Sequence, residues 1–302
     1  MSQLPAPSKF HRAAMLAAAM AGRTDWLERL NPIESERAAL QLRAAAEARM
    51  PPRRKTVTFL IPLVGPHHVG DWDAVCDRLG DTLRCFLAQD NPNWQAVICG
   101  QKAPPLPDDP RLIFLPFDTP VEGNDKWAKL QRLCDHLPEM ALPPGYVMSF
   151  DADDLLRQGV VAEMLRRQAP NGYVAQSGYV MDAATGQIAL ADAPTLREPA
   201  RKPFWKLCGS CAALAHDPDM PESTAFLRAM VAHEHRMFPY LAALAGRRLA
   251  AFAHPSVLYV LNHGENFGAR RGRTSFKARF VERFAIEDPD ALAEIAEAFP
   301  QP

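Results

Sequence analysis

The run Tyr146-Val147-Met148-Ser149-Phe150-Asp151-Ala152-Asp153-Asp154 decides how this chain is read. Its first five residues form a short apolar segment of the kind expected for a strand covered on both faces. The segment ends directly in three carboxylates within four residues, whose mutual repulsion is costly unless a cation or open water offsets it. At a strand end alternate side chains share a face, so Asp151 and Asp153 are expected to converge while Asp154 turns elsewhere. Hard oxygen ligands suit Mg²⁺ or Mn²⁺, ions that complete their shells with substrate phosphates. The plain alternative is a solvated helix N-terminus, because Asp also favours caps and first turns.

Working outward, Val57 to Leu63 (VTFLIPL) reads as a buried strand, Val75 to Ala88 as a helix and Trp94 to Cys99 as a second strand. Leu112 to Leu115 is a third strand, Lys126 to Leu137 a helix, and Tyr146 to Phe150 the fourth strand. This alternation predicts right-handed crossovers and a largely parallel sheet flanked by helices. Ligands of such sheets collect at the carboxyl ends of strands, which is where the acidic cluster falls. Farther on, Tyr173 to Leu190 reads as a hairpin around Ala183-Ala184-Thr185-Gly186, and Glu222 to Ala245 as two helices. Val257 to Leu261 reads as a last strand and residues 274–299 as helical. Upstream, residues 10–50 predict two helices joined at Asn31-Pro32, followed by a linker from Met50 to Lys55. The expected organisation is an N-terminal helical extension (1–52), an α/β domain (53–270) and a C-terminal helical tail (271–302).

The 302 residues carry 48% hydrophobic and 23% charged side chains, which predicts a globular chain with a sizeable core. A net charge of −1 argues against nucleic acid or an anionic membrane as the main partner. An anionic ligand must therefore be met by local cations or a metal. No apolar run approaches the ~20 residues of a membrane helix. Ala13 to Gly22 follows Lys9 and Arg12 in the manner of a signal peptide but lacks its Leu-rich core, so a soluble helix is expected. Among the six cysteines, Cys208-Gly209-Ser210-Cys211 has redox or zinc spacing, with no second pair to complete a tetrahedral site. Packed thiols in a reducing cytoplasm are the expectation, with peripheral contact to the inner membrane left open.

Residues from about 57 to 267 resemble the family 2 class of GT-A glycosyltransferases. VTFLIPLVG resembles that family's first nucleotide-binding strand, and YVMSFDADDLL its Asp-X-Asp metal motif. The stretch from Glu234-His235-Arg236 through Gly246 to Val260 resembles the family's later helix-to-strand segment. Leu261-Asn262-His263-Gly264-Glu265-Asn266-Phe267 resembles its close, where a metal-binding His often stands. The resemblance implies a GT-A-type, Rossmann-like fold. It also implies a divalent metal, Mn²⁺ or Mg²⁺, on Asp151, Asp153 and His263, with Asp151 near the ribose and diphosphate. The implied activity is metal-dependent, inverting transfer of a sugar from a nucleotide-sugar donor to a hydroxyl of a saccharide or lipid-linked acceptor. Two departures stand out. No acidic residue follows the second strand in Val97-Ile98-Cys99-Gly100-Gln101, and the family's Glu-Asp pair is Glu234-His235.

His235 occupies the family's base position and titrates near neutrality in its free form, so it is the expected general base, with Glu234 second. His233-X-His235 also has zinc spacing. Lys126, Lys129 and Arg132 share a helical face, so one of them can approach the donor; a solvated helix face is their plain alternative. Arg271, in Arg270-Arg271-Gly272-Arg273, is expected to close over the diphosphate, and Trp205 to stack on a sugar, though surface and core roles are the ordinary fates of such residues. His67 and His68 follow the first strand at its ligand edge, where a turn with incidental histidines is the expectation and contact with the nucleotide the alternative. Two other functions compete: a catalytically degenerate GT-A domain acting as a binding or scaffold module, and a nucleotidyltransferase. The latter usually wants a Gly- and basic-rich loop where this chain has Val64-Gly65-Pro66-His67-His68.

Overall fold

The structure is a computed structural model and describes residues 3–47, 49–263 and 274–299. Three helices open the chain: α1 (Lys9–Met20), α2 (Thr24–Arg29) and α3 (Glu34–Glu47). The α/β region then runs β1 (Thr56–Pro62), α4 (Trp72–Leu87), β2 (Trp94–Gly100), β3 (Leu112–Pro116), α5 (Lys126–His136) and β4 (Gly145–Ser149). Next come β5 (Leu155–Leu156), α6 (Val160–Arg167), β6 (Gly172–Val174), β7 (Gly178–Asp182), β8 (Gln187–Ala191) and β9 (Ala212–His216). The chain continues with α7 (Pro221–Met230), α8 (Phe238–Leu244), β10 (Ala250–Ala251), β11 (Val257–Leu261), α9 (Thr274–Arg283) and α10 (Pro289–Ala298).

Among the described residues, seven strands form one sheet in the order β10-β6-β9-β4-β1-β2-β3. Strands β4, β1, β2 and β3 are mutually parallel, and β10 is parallel to β6. β9 runs antiparallel to both its neighbours, a reversal within a sheet expected to be largely parallel. β1 owes its central place to its composition. Val57, Phe59 and Ile61 are fully buried on one face, and Thr58 and Leu60 are buried on the other. Phe59 stacks on Phe86 of α4 with ring centroids 4.2 Å apart, while α5 packs across β1 and β2. A second sheet, β5-β11-β7-β8, carries the hairpin β7–β8 around residues 183–186. Tyr173, expected in that hairpin, instead belongs to β6 of the large sheet.

The N-terminal region forms three helices rather than two, because Gly22 and Asn31 both take positive φ, +64° and +50°, and break the run. Helix α3 lies against α7 and α8, and α1 against α8. The anchor is Glu36, fully buried, whose carboxylate accepts from the Tyr240 hydroxyl at 2.6 Å and lies 3.0 Å from His11 Nε2. Ser35 Oγ lies 2.8 Å from His233 Nε2, which commits that histidine to the helix packing. α9 packs on β7 and β8 and so returns the C-terminal segment to the body of the protein. Among the described residues no helix is long and apolar enough to cross a membrane.

Candidate active site

The carboxyl ends of β1 and β4 open into a cavity of about 290 Å³. The acidic residues beyond β4 form a tight turn in which the Asp154 N–H donates to the Asp151 carbonyl at 3.3 Å. From α4, the Thr82 hydroxyl lies 3.0 Å from the Ala152 carbonyl and 2.8 Å from that of Asp154. Ser210 fixes the turn from the other side. Its Oγ accepts the Asp151 N–H at 2.8 Å and donates to Asp154 Oδ2 at 2.6 Å. Cys208 donates its thiol to the same Oδ2 at 3.0 Å.

The three carboxylates consequently have three different environments. Asp154 is fully buried and turns away from the cavity, as the strand alternation predicts. Burial, reinforced by Asp153 and Asp151, pushes its carboxyl well above the usual range. Asp153 faces the cavity, and its Oδ2 lies 2.7 Å from His263 Nε2, a contact across 110 residues of sequence. The His263 carbonyl accepts from Arg78 of α4 at 2.6 Å, which pins the end of β11 over the cavity. Asp151 lies 2.6 Å from Lys126 Nζ, both side chains remaining partly exposed at 24% and 35%. Burial opposes charge on both groups; their attraction outweighs it, lowering the Asp151 pKa and raising that of Lys126.

The three expected metal ligands therefore only partly converge: Asp153 meets His263, while Asp151 is turned to Lys126. Among the described residues, the trio of His, Cys, Asp or Glu ligand atoms lying within 4.8 Å of one another is His67, His68 and Asp125. That trio is a poor cation site. Asp125 Oδ2 already takes the buried Lys129 ammonium at 2.8 Å and Gln101 Nε2 at 2.5 Å. Lys129 also donates to the Leu63 carbonyl at 2.6 Å, so it braces the cavity wall at the end of β1 with two of its three ammonium protons.

His235 lines the cavity, and its Nε2 is buried with no hydrogen-bond partner among the described residues. Burial, then the positive charges of Lys126 and Lys277, push its pKa down to about 3, so the ring is neutral at physiological pH. Glu234 does not line the cavity; its carboxylate lies 3.7 Å from Arg236 on the half-exposed rim. Trp205 also lies off the cavity, with Lys206 Nζ 5.1 Å from its ring. Arg271 falls outside the described residues.

Several lining residues carry no sequence signal. Lys277 of α9 reaches the cavity and donates to the Tyr259 hydroxyl at 2.7 Å. Burial lowers its pKa against the pull of nearby acids. Gly209 lets main chain run beside Asp151: a Cβ there would stand 3.0 Å from Asp151 Oδ2. Arg78, Ser210 and Lys277 come from segments whose spacing from Asp151 means nothing until the sheet is assembled. No family model matches the chain, and no curated protein matches it in sequence.

Proposed function

We propose that this protein is a metal-dependent, inverting glycosyltransferase of the GT-A type. On this reading it moves a sugar from a nucleotide-sugar donor to a hydroxyl of a saccharide or lipid-linked acceptor. The observation that carries the reading is the meeting of Asp153 and His263 at 2.7 Å, at the strand edge where α/β sheets take their ligands. A carboxylate and an imidazole beside a second carboxylate suit Mn²⁺ or Mg²⁺, with substrate phosphates completing the shell. Asp153 and His263 would hold the ion, and Asp151 would join them on leaving Lys126. When bound, the ion supplies Lewis-acid neutralisation of the departing diphosphate.

The chain's own residues supply the rest. Lys126 and Lys277 bring two cations to one cavity, where a diphosphate developing charge is best met by preorganised positive groups. His235 offers a neutral ring nitrogen. As the acceptor oxygen bonds to the anomeric carbon and the bond to the diphosphate oxygen breaks, the acceptor proton passes to that nitrogen. Burial is the main cause of its low basicity; the two lysines that depress it further are the groups an anionic donor would neutralise, so donor binding raises the proton affinity of the base in part. Attack from the side opposite the leaving group inverts the anomeric carbon.

A second reading, a degenerate domain that binds donor without turnover, is favoured by one contact, the Lys126 ammonium on Asp151. Donor hydrolysis without acceptor separates the two. The transferase reading expects slow release of free nucleotide from one of the common nucleotide sugars, stimulated by Mn²⁺. Binding with no release, with or without acceptors, favours the module; neither binding nor release removes the reading altogether.

A further inference from the structure

A second cavity, of about 310 Å³, opens at the opposite edge of the sheet. Arg54, which stands just before β1, lines it, whereas Leu63, just after β1, lines the first cavity. The seven-residue strand between them spans ~20 Å. Because β9 runs antiparallel, its last residues arrive at this edge too, and Asp217 joins the wall. The remaining walls come from the end of α3, the linker after it and the turn after α8, which carries Arg247.

Four arginines line this cleft, Arg43, Arg49, Arg54 and Arg247, against two carboxylates, Glu47 and Asp217. Arg54 and Arg247 are 5% and 7% exposed, so water covers little of either. Among the described residues their hydrogen bonds go to main-chain carbonyls only. Arg54 donates to His216 O at 3.5 Å and Pro170 O at 3.3 Å, and Arg247 to Ala215 O. Arg54 Nε is buried with no partner among the described residues. Among the described residues no carboxylate oxygen lies within 4.0 Å of either guanidinium. Asp217 acts on them only at longer range, its Oδ1 accepting the Asp219 N–H at 3.1 Å. The two cations also oppose each other: burial, then Arg54, pushes Arg247 down to about 10. Buried charges in folded proteins are ordinarily paired, because an unpaired one forfeits its hydration without return. Two neighbouring guanidiniums offered only carbonyls are short of an anion.

We propose that this cleft binds a phosphate-bearing anion, a phosphate monoester or diphosphate, gripped by Arg54 and Arg247 with Arg43 and Arg49 at its mouth. The planar donor fork of arginine matches two oxygens of a phosphate, and a cavity of this size sits at the small-ligand end of the range. The proposal does not rest on the transferase reading. Its ligand would tie the N-terminal helices to the sheet, since α3, the linker and the β9 end all contribute to one wall.

The test uses inorganic pyrophosphate, titrated calorimetrically into the full chain in low-salt buffer with EDTA. The same titration on a Lys126→Gln/Lys277→Gln variant removes two of the four cations lining the other cavity and leaves Arg78 and Lys129 there, engaged by the His263 carbonyl and by Asp125 and the Leu63 carbonyl. Saturable binding in both is expected, with Arg247→Lys weakening it about tenfold by losing the bidentate fork. Arg49 is exposed, so Arg49→Gln keeps the fold and is expected to weaken binding a few-fold. Sedimentation with phosphatidic-acid vesicles, reduced by Arg49→Gln, assigns the anion to a lipid headgroup. Pyrophosphate binding without sedimentation assigns it to a soluble phosphoester, and both results support the site. The proposal is overturned if the double variant shows no saturable binding up to about 10 mM. It is equally overturned if Arg247→Lys and Arg49→Gln both leave the affinity unchanged.

Discussion

Replacing Ser210 by alanine leaves Thr82 on the Ala152 and Asp154 carbonyls but removes the hydroxyl that links the Asp151 N–H to the Asp154 carboxylate. That oxygen accepts the Asp151 N–H at 2.8 Å and donates to Asp154 Oδ2 at 2.6 Å. Ser210 and Asp154 are both fully buried, so water does not replace the bond between them; the Asp151 N–H is part-buried. Asp154 keeps a weaker donor, the Cys208 thiol at 3.0 Å, whereas Asp151 N–H loses its acceptor. A buried polar group left unmade costs about 1–3 kcal/mol; with the Cys208 thiol retained on Asp154, the loss of both bonds costs a little less than twice that, about 2–5 kcal/mol. Unfolding entropy of ~2.1 cal/mol/K per residue gives a 302-residue chain ~0.6 kcal/mol/K, which converts that loss into a fall in Tm of about 3–8 °C. Differential scanning calorimetry reads it directly, with Cys208→Ala as the control that spares the Asp151 bond and falls less. Because the turn orients Asp153 as well, the Mn²⁺-induced rise in Tm should shrink in Ser210→Ala. A fall below about 1 °C with the Mn²⁺ response intact would refute the view that Ser210 holds the turn.

Two further outcomes follow from local geometry. Gly209→Ala sets a methyl 3.0 Å from Asp151 Oδ2, so donor turnover should drop several-fold while the melting temperature moves by less than about 2 °C; unchanged turnover contradicts the crowding. His216, 2% exposed and 2.9 Å from Thr224 Oγ1, is pushed down from 6.5 to about 4, chiefly by burial. The unfolded chain then binds the extra proton between those values, so the stability present above 6.5 is lost as pH falls toward 4. At about pH 5 the loss is ~2 kcal/mol, and the wild-type Tm should fall about 3 °C further than that of His216→Gln between neutral pH and pH 5. Equal falls would mean that the imidazole is not held neutral.

Much of the architecture could be read from local pattern. The apolar runs at Val57–Leu63 and Trp94–Cys99 are short, rich in β-formers and helix-separated, and they became β1 and β2 within a residue at either end. β9 gave no such signal: Ala-Ala-Leu-Ala-His has no β-branched residue, and only its pairing between β4 and β6 makes it a strand. Its reversed direction was equally hidden, since direction in a sheet is a property of the neighbours. At the site, the Asp151–Asp153 spacing was legible because carboxylates at a strand end have a cost that demands a reason; His263 was expected from the family resemblance alone, and it lies 2.7 Å from Asp153. Ser210 was hidden inside a segment whose cysteines drew the attention, although the serine does the bridging. Lys277 was hidden because a lysine on a charged helix looks like any solvated one until α9 packs on β7 and β8. Lys129 shows the converse: its helical spacing with Lys126 suggested a ligand contact, yet its charge is spent on Asp125 and Leu63.

Mn²⁺ binding to the chain alone, followed by electron paramagnetic resonance as loss of the free-ion signal, tests the central claim most directly. The pairing of Asp153 with His263 predicts saturable binding by the wild type, abolished in Asp153→Asn, weakened in His263→Ala, and unaffected by Arg247→Lys at the far edge of the sheet. Binding that survives Asp153→Asn undiminished, or a wild type that leaves the free-ion signal untouched even with nucleotide sugar present, would contradict it.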